Sequence, residues 1–102
     1  MDTGTPGVRP TPHTFALEVR GDSMIGRHLC ERDIVILEGG KTPQNGDVVA
    51  ALIDNETKLK TFVREPGRPP YLKAENPRYP EFHPASELVI QGVMVALLRL
   101  VG

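Results

Sequence analysis

Residues 45–63 read NGDVVAALIDNETKLKTFV. The apolar run Val48–Ile53 is opened by Asn45-Gly46-Asp47 and closed by Asp54-Asn55-Glu56, both of them turn chemistry. Six apolar residues are too few to cross a membrane, and two neighbouring valines favour a pleated strand. Beyond the turn, residues 57–63 alternate polar and apolar side chains. Two such runs about a short polar link predict a β-hairpin with strands over 47–53 and 57–63.

Working outward, the same punctuation recurs. FALEV, from Phe15, puts Phe15, Leu17 and Val19 on one face of a strand. Residues 33–38, DIVILE, hold a continuous apolar run and predict a strand buried on both faces. Residues 71–76, YLKAEN, predict a short strand. The following PRYPEFHP is a Pro-rich loop that no regular helix can traverse. The terminal run ELVIQGVMVALLRLV is long enough for a helix. Its β-branched residues Val89, Ile90, Val93 and Val95 argue instead for one strand bent near Gly92. Ten prolines and ten glycines in 102 residues leave room for one or two helical turns, expected at Ser23–Cys30. The expectation is an all-β, compact, highly curved domain of six or seven strands over residues 15–102. Residues 1–14, rich in Pro, Gly and Thr, read as a flexible arm or linker.

Composition narrows the function. The net charge of −1 and the lack of a basic run argue against direct nucleic-acid binding by this chain. The polar start is no signal peptide. A single cysteine, Cys30, allows no internal disulfide and fits a reducing, cytoplasmic setting. Beside Leu29 it reads as a small buried residue. His13, His28 and His83 show no metal-ligand spacing, so neither a metal nor a cofactor is expected. A Ser–His–Asp triad requires no closeness in sequence, and nothing in the chain points to one. Gly39-Gly40-Lys41-Thr42 lacks the spacing of a phosphate loop and reads as a turn.

Two features leave alternatives open. Ser23, in EVRGDSMIGRH (18–28), follows a strand and a Gly21-Asp22 turn; it is a helix cap or a nucleophile. Lys58 and Lys60 flank Leu59 and share a strand face with Phe62. Strand lysines usually solvate a face or protect an edge. A neutral lysine is instead a general base. Lowering its pKa from about 10.4 to near 7 requires on the order of 4–5 kcal/mol, which burial among apolar groups supplies.

The order GDSM, DIVIL, NGDVVAALIDNETKLKTF, LKAENPRYPEF, LVIQGVMVALL resembles the LexA/UmuD-like self-cleaving serine–lysine peptidases over residues 15–98. These include SOS and phage repressors and the UmuD polymerase subunit. The resemblance implies the family's LexA C-terminal-like β-domain. It assigns Ser23 of Gly21-Asp22-Ser23-Met24 as nucleophile and Lys60, 37 positions on, as general base in preference to Lys58. By the same analogy the backbone N–H groups of Asp22 and Ser23 form the oxyanion hole. It further implies cleavage of an Ala-Gly or Cys-Gly bond in the parent chain, and a RecA–single-stranded-DNA filament as trigger. A homodimer through Leu88–Leu100 is implied, as is DNA binding only through an N-terminal domain that this chain lacks. No Ala-Gly or Cys-Gly pair is present, and Glu31-Arg32-Asp33 departs from the family's usual turn. A UmuD′-like polymerase subunit, a signal-peptidase relative and a β-barrel binding module with Ser23 as cap remain the alternatives.

Overall fold

The computed structural model describes residues 9–83 and 88–101. It is all-β, as expected. Strands β1 (Thr14–Glu18), β2 (Ile34–Glu38), β3 (Val48–Ile53), β4 (Glu56–Val63), β5 (Tyr71–Lys73) and β6 (Ile90–Leu98) form one antiparallel sheet in the order β1-β2-β6-β3-β4-β5. Within the window expected to be helical lies a single 3₁₀ turn, Ile25–Arg27.

The β3–β4 hairpin forms where residues 45–63 predict it. Ile53 pairs with Glu56, leaving Asp54 and Asn55 as a two-residue loop at φ 52° and 66°. Positive φ at both central residues is the type I′ geometry whose twist matches the flanking strands, and Asp and Asn tolerate it best after glycine. The hairpin supplies the strand buried on both faces. Val48 and Ala50 join one apolar cluster with Val19, Met24, Leu29, Val35 and Leu37. Val49, Ala51 and Ile53 join a second with Phe62, Leu72 and Val93.

The sequence reading gave that two-sided burial to residues 33–38, and the structure corrects it. On β2 only Val35 and Leu37 are buried; Ile34 and Ile36 are half-buried. The second cluster draws on β3 to β6 and reaches no residue of β1 or β2.

The terminal run is one strand with two irregularities. Against β3 the register passes from Ala50–Gly92 to Ala51–Ile90, so Gln91 is extra. Against β2 it passes from Ile36–Ala96 to Leu37–Met94, so Val95 is extra. Such bulges bend a strand and raise its twist, which curves the sheet about its central strand. Gly92 has a second use. A Cβ there would lie 2.7 Å from the Phe15 ring, so the missing side chain makes room for that ring beside Leu37.

The strand expected over 71–76 stops at Lys73, because Glu75 and Asn76 bond elsewhere. Of the arm, residues 1–8 lie outside the described residues. Thr11 and Thr14 donate to the Glu38 carboxylate at 2.6 and 2.7 Å, and Gly39 N–H donates to the His13 carbonyl.

Past the end of β6, Arg99 closes the first core. Its Nε and Nη2 donate to Asp33 at 2.9 and 2.7 Å, and Nη2 also reaches the His28 carbonyl at 2.7 Å. Asp33 is only 3% exposed and accepts a further bond from Cys30 N–H. Cys30 is half-buried and not fully buried as its neighbour Leu29 suggested. The Arg99 hydrogen bonds and the Cys30 amide hold the Asp33 carboxyl at a pKa of about 2, below its ordinary 3.8. A lowered pKa stabilises the fold fully above 3.8, and this contribution drains away as pH falls toward 2. Urea unfolding across that range is therefore expected to show an acid limb that Asp33→Asn flattens. At neutral pH, Arg99→Ala is expected to lower the midpoint more than Arg20→Ala, whose exposed pairing with Glu18 is 4.0 Å long.

Candidate active site

Ser23 follows β1 on a turn that needs glycine: Gly21 has φ +77°. The next turn of chain folds on itself, with Ile25 N–H donating to Asp22 O and Arg27 N–H to Met24 O. The N-cap of the 3₁₀ turn is Met24, with no side chain capping it. Ser23 is therefore not used as a cap. Met24 is fully buried beneath it and anchors the segment in the first core.

A clasp from the other end of the sheet holds this segment. Glu75 N–H donates to Ser23 O, and Gly26 N–H donates to Glu75 O, both at 2.8 Å. Asn76, which is buried, donates through Nδ2 to Asp22 O at 3.0 Å. The Glu75 side chain accepts from Thr61 Oγ1 at 2.6 Å, and Arg27 reaches Thr61 Oγ1 and Gly46 O. These contacts explain why β5 ends early: Glu75 gives both its backbone groups, and Asn76 its side-chain amide, to the Ser23 segment.

The two lysines of β4 separate cleanly. Their cross-strand partners, Ala51 for Lys58 and Val49 for Lys60, share one face, as the period of two requires. Lys58 is exposed and lies 3.7 Å from Glu56. Lys60 is half-buried, and its pKa falls below the ordinary 10.5, chiefly through burial and secondarily through the Lys58 charge.

Ser23 and Lys60 line one cleft of about 580 Å³. One wall is β1 and its extension to Arg20, the sheet edge; the other is Glu56–Lys60 of β4. That half of β4 has no partner on its outer side among the described strands, because β5 pairs only with Thr61–Val63. Leu17 and Leu59, both packed on the first core, supply apolar surface, and Tyr79 stands at the rim. Two unpaired strand edges facing one groove suit an extended peptide, which satisfies such backbone groups. Among the described residues the N–H groups of Asp22 and Ser23 donate to no protein acceptor. No group of three metal-ligating side chains occurs among them either.

Sequence reasoning named Ser23, Asp22 and Lys60, which meet here. His13 and His83 line no part of the cleft, nor does His28. Glu75, Asn76, Arg27, Thr61 and Tyr79 went unassigned. For Glu75, Asn76 and Tyr79 the signal was AENPRYPEF itself, residues 74–82; Arg27 and Thr61 carried none.

An all-β domain with a serine and a partly desolvated lysine in a peptide-sized groove defines the class. The Peptidase S24-like family matches residues 2–95. A LexA repressor of Verrucomicrobium spinosum is 52% identical over 99 residues, covering 97% of this chain and 48% of that protein. LexA repressors of Acidothermus cellulolyticus and Opitutus terrae are each 44% identical, over 83% and 89% of this chain and 30% and 45% of theirs. This chain belongs to the Peptidase S24-like, LexA/UmuD-like family. It spans about half the length or less of these relatives.

The clasp makes a specific demand on Gly26. A Cβ there would sit 2.5 Å from the Glu75 carbonyl oxygen, the atom its own N–H bonds. Backbone cannot yield as a side chain does, so Gly26→Ala is expected to destabilise the fold by about 1–3 kcal/mol. Amide hydrogen exchange checks the cause: Gly26 and Glu75 should lose protection while the β3–β4 hairpin keeps its own.

Proposed function

We propose that this chain is the self-cleaving peptidase domain of a LexA-like repressor, with Ser23 as nucleophile and Lys60 as general base. The observation that carries this reading is the placement of Lys60. It is half-buried, with a lowered pKa, in the same cleft as a serine that caps nothing. Family membership supports the peptidase assignment.

The chemistry follows from the groups present. An extended segment of the parent chain lies in the groove between β1 and β4, its scissile Ala-Gly or Cys-Gly bond at Ser23. The neutral Lys60 amine takes the Ser23 hydroxyl proton as Oγ forms a bond to the carbonyl carbon. Charge develops on the carbonyl oxygen, and the Asp22 and Ser23 N–H groups face it. Preorganised donors of that kind contribute about 2.7–4 kcal/mol each. The Lys60 ammonium then protonates the leaving amine as the C–N bond breaks, leaving an acyl-serine. Water attacks next, passing a proton to Lys60, and Ser23 is regenerated with a free carboxylate. Lysine replaces histidine at the cost of needing its amine uncharged, which burial beside β4 favours.

In the parent repressor such a cut separates this domain from a DNA-binding half, with a RecA–single-stranded-DNA filament as the trigger. The dimer contact is assigned to the C-terminal run, but not to its edge. β6 is interior to the sheet, so its contact surface is the half-exposed face of Ile34, Ala96 and Leu98 together with exposed Leu100 and Val101.

The test uses the parent chain containing its upstream segment. Self-cleavage should rise with pH, because the neutral fraction of Lys60 grows as pH climbs through a pKa below 10.5. Ser23→Ala and Lys60→Ala should each abolish it at every pH; cleavage persisting in either variant rejects the dyad. Lys60→Met should also raise the thermal midpoint at pH 7, because it removes a charge that the fold disfavours.

A further inference from the structure

The cleft holds one side chain that touches both halves of the site. Tyr79 donates its hydroxyl to Asp22 Oδ1 at 2.6 Å, immediately before Ser23. Its ring lies with its centroid 5.9 Å from Lys60 Nζ. Its own N–H donates to Asn76 O, in the same loop that clasps the Ser23 segment. We propose that Tyr79 is a positioning residue of this site: its hydroxyl tethers the turn that carries Ser23, and its ring shields the Lys60 amine from water. This role rests on the peptidase reading of the cleft.

The ring acts on Lys60 in two opposed ways. A π face attracts an ammonium, weakly at an exposed site and least near the outer limit of about 6 Å. Covering the amine withholds water and disfavours the same charge. At 5.9 Å the attraction is at the limit of its range, and burial, to which a ring at the cleft rim adds, is the main cause of the lowered lysine pKa. The surrounding charges do not reverse this balance. Glu18 pairs with Arg20, Glu56 with Lys58, and Asp22 with Arg78 at 3.8 Å. Each carboxylate of the cleft thus has another cation, and Lys58 pushes Lys60 further toward the neutral amine. Asp22 in turn raises the pKa of the Tyr79 phenol, which keeps it a donor.

The two functions separate by substitution. Tyr79→Phe keeps the ring and removes the tether; Tyr79→Ala removes both. Tyr79 is 40% exposed on a loop, so neither change opens the core. In the 102-residue chain labelled at lysine Cε, NMR titration reads Lys60 directly, whether or not the protein cleaves anything. The Lys60 midpoint should stay within about 0.2 pH units of wild type in Tyr79→Phe and rise by about 0.5 or more in Tyr79→Ala. In the parent chain, the rising limb of self-cleavage against pH should move by that same amount in Tyr79→Ala. Tyr79→Phe should cleave severalfold more slowly at all pH values, with no displacement of the limb. A wild-type Lys60 midpoint in Tyr79→Ala overturns the shielding role, and so does an equal rise in Tyr79→Phe. Wild-type cleavage by Tyr79→Phe overturns the tether. A wild-type parent chain that fails to cleave, with the Lys60 rise intact in Tyr79→Ala, rejects the peptidase reading and leaves the shield standing.

Discussion

The exchange of backbone hydrogen bonds between Glu75 and the Ser23–Gly26 segment governs this structure. β1 and β5 are opposite edges of the sheet, and the two segments that exchange these bonds follow those two strands. Joining them draws the edges toward each other, so that an open sheet nearly closes on itself. A closed sheet has no free edge to manage. Here the closure stops short, and the gap left between β1 and the first half of β4 is the cleft. The same bonds that bend the sheet therefore create the groove and place Ser23 in it.

The central strands make that curvature tolerable. β3 is covered on both faces, so the sheet is stiff in its middle and the two apolar clusters share one backbone. The extra residues of β6 sit on either side of Gly92. The bend is thus placed where the strand has no side chain and where Phe15 fills the space instead. Lys60 lies on the flank of this rigid centre, opposite Val49, and is half-buried, while Lys58, two residues nearer the turn, is exposed.

Much of this was legible in the chain. Turn residues and β-branched runs located all six strands, because a hairpin and its loop are local matters. Ser23 and Lys60 were proposed through spacing and resemblance; period two by itself placed both β4 lysines on one face without telling them apart, and the family spacing singled out the one that the structure half-buries. What escaped was non-local. Residues 33–38 hold a continuous apolar run as 48–53 do, yet β3 is the strand covered on both sides, since cover depends on what other elements reach. Ala74–Asn76 continue a strand pattern by composition, but the backbone groups of Glu75 have partners about fifty residues away along the chain, beside Ser23. Tyr79 carries no periodic signal at all; its place is set by a turn on Asn76.

The close fit of Gly26 against Glu75 bears on how portable the site is. The nucleophile turn is shaped by a carbonyl from a distant loop and not by its own residues alone. A chimaera that transplants residues 21–29 into another β scaffold without residues 74–79 would carry the serine but not the mould that forms it. The smallest unit that recombination or design can exchange intact is therefore the pair of loops together.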